Sequence, residues 1–417
     1  MRTWNPLHTK APTHHRGTKV VTLTCRFISP VFGGGVNPKQ FDPVTPVRVP
    51  AIRGHLRFWW RATHGDLSLE ELRLRETGLF GGVHGREPVA SRLIVQVKRQ
   101  PKAPQKREVF QQGNPFRLVA GALDALAYGA FPLRGTDAQN RHDFLWEYQD
   151  TFEIELRYPE NQSVEIERAL WAWLHFGGLG GRTRRGFGAL KLEGAQGWTL
   201  PSIQDGWPRE PRRGNASWAV LGAISDSLKV ARSTYKDGKS AQEALLGLLR
   251  RMRQGELGRT PNSQPGRSRW PEPDVLRQLF RITGGRHGRP IHDPRINKFP
   301  RGRFGAPIIF HFKTERGERE PPDSTLVPVL RGDPLNRLAS PLILRPHPRG
   351  NTYEAMALVL EHPAPDGWAI LNGRNDSRGG QSIQLTREEA RRIEPLNLDQ
   401  QTFTDPIQAY LARLALL

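Results

Sequence analysis

A single cysteine, Cys25, stands in the 417 residues. An intrachain disulfide and any cysteine-rich zinc site are therefore excluded. No apolar run is long enough to span a bilayer, and MRTWNPLHTKAPTHHRGTK at the N-terminus lacks the apolar stretch of a secretory leader, so the expectation is a soluble cytoplasmic protein. The acidic residues are too scattered to form the D-x-D or E-x-x-H constellations of two-metal phosphoryl chemistry, and no H-x-x-x-H pair with a nearby carboxylate suggests zinc. They are also few: 41 Asp and Glu stand against 62 Lys and Arg, a formal charge of +21. Such an excess draws a chain to polyanions, whether nucleic acid or an anionic membrane surface.

The chain also has 35 prolines and 42 glycines, which argues for many loops rather than an all-helical bundle. KVVTLTCRFIS (19–29) alternates in the period of a half-buried strand, as do SRLIVQV (91–97) and TFEIELR (151–157). SVEIERALWAWLHF (163–176) has helical spacing, and ALKLEG follows it as a strand. Residues 197–214 read as a Trp/Pro/Arg-rich linker, 216–253 mostly as helix, and 258–273 as a flexible basic loop. Strand signals return at APIIFHF (306–312), SPLILR (340–345) and AMALVLE (355–361), with a closing helix at 405–417. Both halves share a strand–helix–sheet texture with a glycine–arginine loop, which suggests a loose duplication.

RVPAIRGHLRFWWRATHG (48–65) places two adjacent tryptophans among arginines, with no acid anywhere in the stretch. Pro50 suits a first helical turn. On a helix over 51–64, Ile52, Leu56, Trp59 and Thr63 share one side, while Arg53, Arg57, Arg61 and His64 share the opposite flank. Trp60 lies between, free to enter the core or to stack on a base. A solvated basic face is the plain alternative, but such faces usually intersperse both signs.

FGGLGGRTRRGFGAL (176–190) is neither a Walker loop nor a dinucleotide fingerprint, because it leaves a helix and enters a strand. Its physics still suits phosphate: glycines allow close approach, and Arg182, Arg184 and Arg185 carry forked donors. RGFGAL partly matches the start of an RNP1 sequence, which makes Phe187 and the glycines Gly180 and Gly181 candidates for RNA contact. TGGRHGRPIHDPRINKFPRGRFGAP (283–307) gathers Arg286, Arg289, Arg295, Lys298, Arg301 and Arg303. It reads either as a disordered basic linker or, with the other two segments, as part of one anion-binding surface.

These residues carry a resemblance. KVVTLTCRFISPVF with its glycine-rich loop, and then VPAIRGHLRFWWRA, resemble the start of the subunit 1 family of Cmr (type III-B CRISPR) effector complexes. That family lies in the RAMP superfamily, whose mark is a loop similar to GGLGGRTRRGFG, and RFGAPIIFHF and RLASPLILRP resemble the paired motifs closing the family's second domain. The resemblance implies an α+β fold of two tandem ferredoxin-like (RRM-related) domains with a helical insertion. The expected layout is a disordered basic tail at 1–18, a first domain at 19–200 with its glycine loop at 177–188, a linker and helical segment at 201–275, and a second domain at 276–417. It further implies a non-catalytic subunit that holds the 3′ portion of the guide RNA (crRNA) and helps capture target RNA beside other Cmr subunits, with no cofactor. Carried over by position, Arg53, Arg57, Trp60 and Arg61, with Arg182, Arg184 and Arg185 of the loop, would line the RNA path, and Arg48 and His64 beside them are further candidates for RNA contact.

Some RAMP relatives cut RNA with a histidine, so the rival expectation is a metal-independent endoribonuclease processing repeat RNA. Of His55, His64, His175, His287 and His292, His64 on the cationic flank is the best candidate for such a base. A helix-end histidine beside Gly65 needs no such role.

Overall fold

The computed structural model describes residues 17–35, 42, 44–84, 87–102, 104–111, 114–119, 124–133, 144–208, 217–254, 256–259, 267–283, 290–312, 319–372 and 377–417. Its first half contains β1 (Thr18–Phe27), α1 (Val49–Ala62), α2 (Leu69–Phe80), β2 (Ile94–Arg99), β3 (Thr151–Pro159), α3 (Ser163–Phe176) and β4 (Leu190–Gln196). The strands lie in the order β4-β1-β3-β2, each antiparallel to its neighbours. The alternation in β1 and β3 is obeyed residue by residue. Val21, Leu23, Cys25 and Phe27, with Phe152, Ile154, Leu156 and Tyr158, are buried in one core with residues of α1 and α3. Burial, and then the charge of Glu193, push the Cys25 thiol up to about 12, so it packs as a small hydrophobe without reactivity.

The other face of this sheet is open. It presents Thr22, Thr24, Glu153, Glu155, Arg157 and Gln96, laced by Glu155 with Arg157 (2.7 Å) and Lys98 (3.7 Å). The aromatic residues of the four strands, Phe27, Phe152 and Tyr158, all point to the core. An RRM-style stacking platform is absent from this face.

The second half opens with β5 (Leu228–Tyr235) and α4 (Gly238–Arg253), continues through α5 (Glu272–Leu279), β6 (Ile308–Phe310) and β7 (Ser324–Leu330), and reaches β8 (Leu342–Arg349) and β9 (Thr352–Glu361). After them come β10 (Gly367–Asn372), β11 (Ser377–Gln381) and α6 (Pro406–Leu414). Strand β9 runs antiparallel between β5 and β8. The elements β6-β7-β10-β11 form a separate inserted sheet, which packs on α5 through Val275, Leu276, Leu326 and Ile370.

Three readings are corrected here. Residues 216–253 are helical at Ile224–Ser227 and Gly238–Arg253, but Leu228–Tyr235 between them is a strand, and its LKVARSTY sequence alternates too weakly to show it. The second sheet therefore draws its first strand and helix from the stretch assigned to the linker. That stretch is also docked rather than loose. Trp207 packs 6.0 Å from Trp171 and donates to the Gly222 carbonyl, Trp218 donates to the Arg61 carbonyl, and Trp270 is fully buried. The disordered tail expected at 1–18 falls mostly outside the described residues; Thr18 itself begins β1.

Candidate nucleic-acid interface

The cationic flank of α1 is real, but α2 lies against it. Trp60 is fully buried. Its Nε1 donates to Glu165 (3.0 Å), and its ring meets Phe80 edge-on and stacks on His64 at 4.5 Å. Trp60 is thus core, unavailable to a base. His64 is buried too, with Nδ1 bonded to the Trp60 carbonyl (2.6 Å), and burial lowers its pKa. It closes the helix end and does not face a ligand.

The missing acid arrives from α2. Glu76 accepts two bonds from Arg61 (2.6 and 2.7 Å) and lies 3.4 Å from Arg57, which also donates to the Gly81 carbonyl. Arg53 donates to the Phe80 carbonyl (2.6 Å) and Arg48 to that of Gly34 (3.4 Å). Arg48 also lies in reach of the Asp42 carboxylate, Arg53 meets only a carbonyl among the described residues, and Arg57 and Arg61 share Glu76. The signal for α2 was present in the sequence: Ser68 and Glu71 form a reciprocal capping box.

The glycine–arginine loop is a clasp between the halves. The Gly188 amide donates to Pro30 and its carbonyl accepts from Leu179; at φ +60° a Cβ there would lie 1.8 Å from the Leu179 carbonyl oxygen, so only glycine fits. Phe187 is fully buried against Phe32, 6.0 Å between ring centres, so the RNP1-like fragment serves packing rather than stacking on RNA. Gly181 pairs with Phe32, and Gly180 approaches Gly34 closely. Arg184 donates to the Ser340 carbonyl, lies 5.3 Å over the Phe58 ring, and accepts at its own carbonyl from Leu344. Arg185 reaches the Leu342 carbonyl, and burial lowers its pKa to about 10.

Sequence reasoning missed Arg345, which completes the clasp from β8. It is buried, and donates to the carbonyls of Leu174 (2.7 Å), His175 (3.1 Å), Gly177 (2.6 Å) and Leu190 (2.6 Å). A guanidinium from one half thus caps the carbonyl end of α3 in the other, where the helix dipole favours a cation. Burial lowers its pKa to about 9. A charge interrupting the apolar run PLILRP was its only trace in the sequence. Beside it, His175 Nε2 meets the Pro201 carbonyl (2.9 Å), which leaves Nδ1 to accept from His347 Nε2 (3.0 Å).

Arg182 points elsewhere. It holds a left-handed backbone (φ +54°) and its buried Nε has no partner among the described residues. Burial, then the positive charges of Arg337 and Arg253, lower its pKa. Arg253 is held by the Tyr128 hydroxyl (2.9 Å) and also has a buried Nε without a partner. Arg253 and Arg337 were likewise missed, since each stands far from the loop in sequence.

The third basic segment is mostly spoken for. Arg301 pairs with the fully buried Glu272 (3.1 Å), Arg303 with Asp405 (3.0 Å), and the exposed Arg295 with Asp293 (2.7 Å). Lys298 pairs through its backbone with Ser382. Arg286, Arg289 and His287 lie outside the described residues. The motifs RFGAP and RLASP do come together, through reciprocal amide–carbonyl bonds between Ala306 and Leu338 (2.9 and 3.0 Å). His292 has both nitrogens engaged, with Asp274 and the Arg269 carbonyl.

With this geometry in hand, comparison with known proteins is informative. A family model described as the RAMP superfamily matches residues 24–191, from within β1 to the start of β4. The resemblance in the sequence to subunit 1 of Cmr complexes has its counterpart among curated proteins of Pyrococcus furiosus. The chain is 25% identical over 161 residues to CRISPR system Cmr subunit Cmr1-1, covering 38% of this chain and 44% of that one. It is 23% identical over 180 residues to Cmr subunit Cmr1-2, covering 40% of this chain and 91% of that one. The alignment thus spans less than half the length of the first relative. Among solved structures, the apo crystal structure of Cmr1 from Pyrococcus furiosus aligns over 83% of this chain and 89% of its own, at 17% identity and a TM-score of 0.47. A chain of the type III-B Cmr-beta complex bound to cognate target RNA aligns over 82% and 94%, at 11% identity and a TM-score of 0.45.

Proposed function

We propose that the chain is a non-catalytic RNA-binding subunit of a type III-B CRISPR ribonucleoprotein. In this reading it holds the 3′ portion of the guide RNA, helps capture complementary target RNA, and docks beside other Cmr subunits in the cytoplasm. The observation that carries it is that Arg182 lies in reach of the positive charges of Arg253 and Arg337, while the buried Nε of Arg182 and that of Arg253 have no acceptor among the described residues. Such a group repels itself until an anion joins it, and phosphate fits its forked donors. Arg53, bonded to a carbonyl and to no carboxylate among the described residues, extends the same charge toward α1.

Two further points support the reading. The β-α-β-β-α-β order of the first half, with strands fourth-first-third-second, is that of a ferredoxin-like domain. The second half repeats β-α-β-β-α with its strands first-third-second, as a duplicated unit with an inserted sheet would, and the two-residue strand Val220–Leu221 pairs with the end of β9 as the fourth member of that sheet. A face without aromatics leaves phosphate as the main handle, so binding should be indifferent to sequence, and guide–target pairing would supply specificity. No helix of the described residues is long and apolar enough to cross a membrane.

The test is RNA affinity against salt for the full chain. Replacing Arg182, Arg253 and Arg337 by alanine should weaken binding and flatten the slope of log affinity on log salt by about one unit per lost phosphate contact. Circular dichroism checks the fold of the variant. Unchanged affinity and slope in a folded triple variant overturn the proposal.

A further inference from the structure

We infer that a cleft in the second half, about 470 Å³ in volume, is a seat for one unstacked nucleotide of the bound RNA. The inference rests on the RNA-binding reading above. The cleft opens between the inserted sheet, the end of β9 and the start of α6. Pro341, Pro363 and Trp368 form flat apolar walls, while His362, Gln384 and Thr404 supply hydrogen-bonding groups. Such a mixture is what a nucleobase needs, with faces to lie against and a few polar groups at its edge. The volume lies toward the lower end of the range of small-molecule sites, about 300–1,000 Å³. It admits one nucleotide and excludes a duplex.

Three observations tie the cleft to the RNA path. Arg184 of the glycine loop donates to the Ser340 carbonyl, and the residues on either side of Ser340 line the cleft. Arg303, also in the lining, is held by Asp405 through Nε, and its other nitrogens have no bond among the described residues. The charges of Arg184 and Arg303 both reach His362 and, after its burial, help to lower its pKa. His362 donates from Nδ1 to the Pro363 carbonyl (2.8 Å), so as a neutral ring it offers Nε2 as an acceptor at the floor of a cation-rimmed site. A phosphate between Arg184 and Arg303 would leave its own base at the cleft. The open sheet face offers no aromatic surface for stacking, whereas this cleft has Trp368 in its lining.

The experiment uses the full chain with AMP as the probe, in two arms. Saturation-transfer NMR of AMP should show contact to the base protons, and a single-stranded RNA should displace it. Ala364 lines the cleft with its side chain exposed, so Ala364→Trp fills the mouth without entering the core. This variant should lose at least tenfold in AMP affinity while keeping its melting temperature and circular dichroism. Absent AMP contact, or AMP affinity unchanged in Ala364→Trp, overturns the site. AMP contact that RNA does not displace overturns its assignment to bound RNA. Failure of the wild-type chain to bind RNA at all would instead remove the reading beneath it, which the AMP arm alone does not test.

Discussion

The two main sheets of this protein are built from similar connections and used in opposite ways. The first buries alternate residues on one face and leaves the other to water, with threonines and paired charges along it. The second is covered on both faces. In β9, Met356, Leu358 and Leu360 turn toward the core of the first half, while Ala355, Ala357 and Val359 turn toward α4 and α6. The sequence carries this difference openly: TLTCRF alternates, whereas AMALVL runs apolar without interruption, as a strand buried on both faces must. What the contrast teaches concerns the cations. On the open face of the first sheet Arg157 and Lys98 are paired with Glu155, whereas Arg184, Arg185 and Arg345 are bonded to carbonyls where the halves meet.

Perturbing each side of the contrast should give effects of very different size. Arg345→Ala leaves four buried carbonyls without their donor and opens a cavity at the seam, and should cost about 4 kcal/mol or more in chemical denaturation. Arg345→Met, which keeps most of the volume, should cost less. The gap between the two variants measures the polar share. Next, Leu358→Ala in the doubly covered strand should cost about 2–5 kcal/mol by the same measurement.

A pH titration of stability should come third. Burial, together with the positive charges of His347 and Arg345, holds His175 at about 4, against 6.5 in the unfolded chain. Between these values the unfolded state binds the extra proton. The contribution is therefore full above pH 6.5 and lost as the pH falls toward 4, at up to about 1.4 kcal/mol per pH unit. The urea midpoint should drop over this window, and His175→Phe, which removes the titrating group, should flatten the drop. Glu354, near His347, must be accounted for in the same titration. Smallest of all, Thr24→Ala on the open face should shift stability by no more than about 0.5 kcal/mol. A large loss there would show that this face is covered after all.

Much of the fold was legible from local pattern. The strands of the first half, α3, β9 and the closing helix follow from apolar period alone, and the capping box of α2 was there to be read. The site was less so, because its logic is tertiary. Nothing near Arg61 in sequence says that Glu76 will sit against it, nor that Glu272 will take Arg301 and Asp405 will take Arg303. Counting cations marked three basic segments. Subtracting the carboxylates that folding brings to them leaves chiefly Arg53, Arg182, Arg184 and Arg185 from those segments, with Arg253 and Arg337 from outside them in charge reach of Arg182. Trp60 and Phe187 were ambiguous for a related reason: a helical wheel or a short motif places a side chain on a border, and only the neighbouring element decides whether the border is dry.

The cap that Arg345 places on α3 also has a meaning in time. Ribosomes deliver a chain from its N-terminus at about 5–20 residues per second, and Arg345 follows Leu190, the last carbonyl it satisfies, by 155 positions. For on the order of ten seconds or more, a newly made first half has its sheet and helices but no donor for the end of α3. Until the second half arrives, those carbonyls face water, and the surface destined for β8 and β9 stays open.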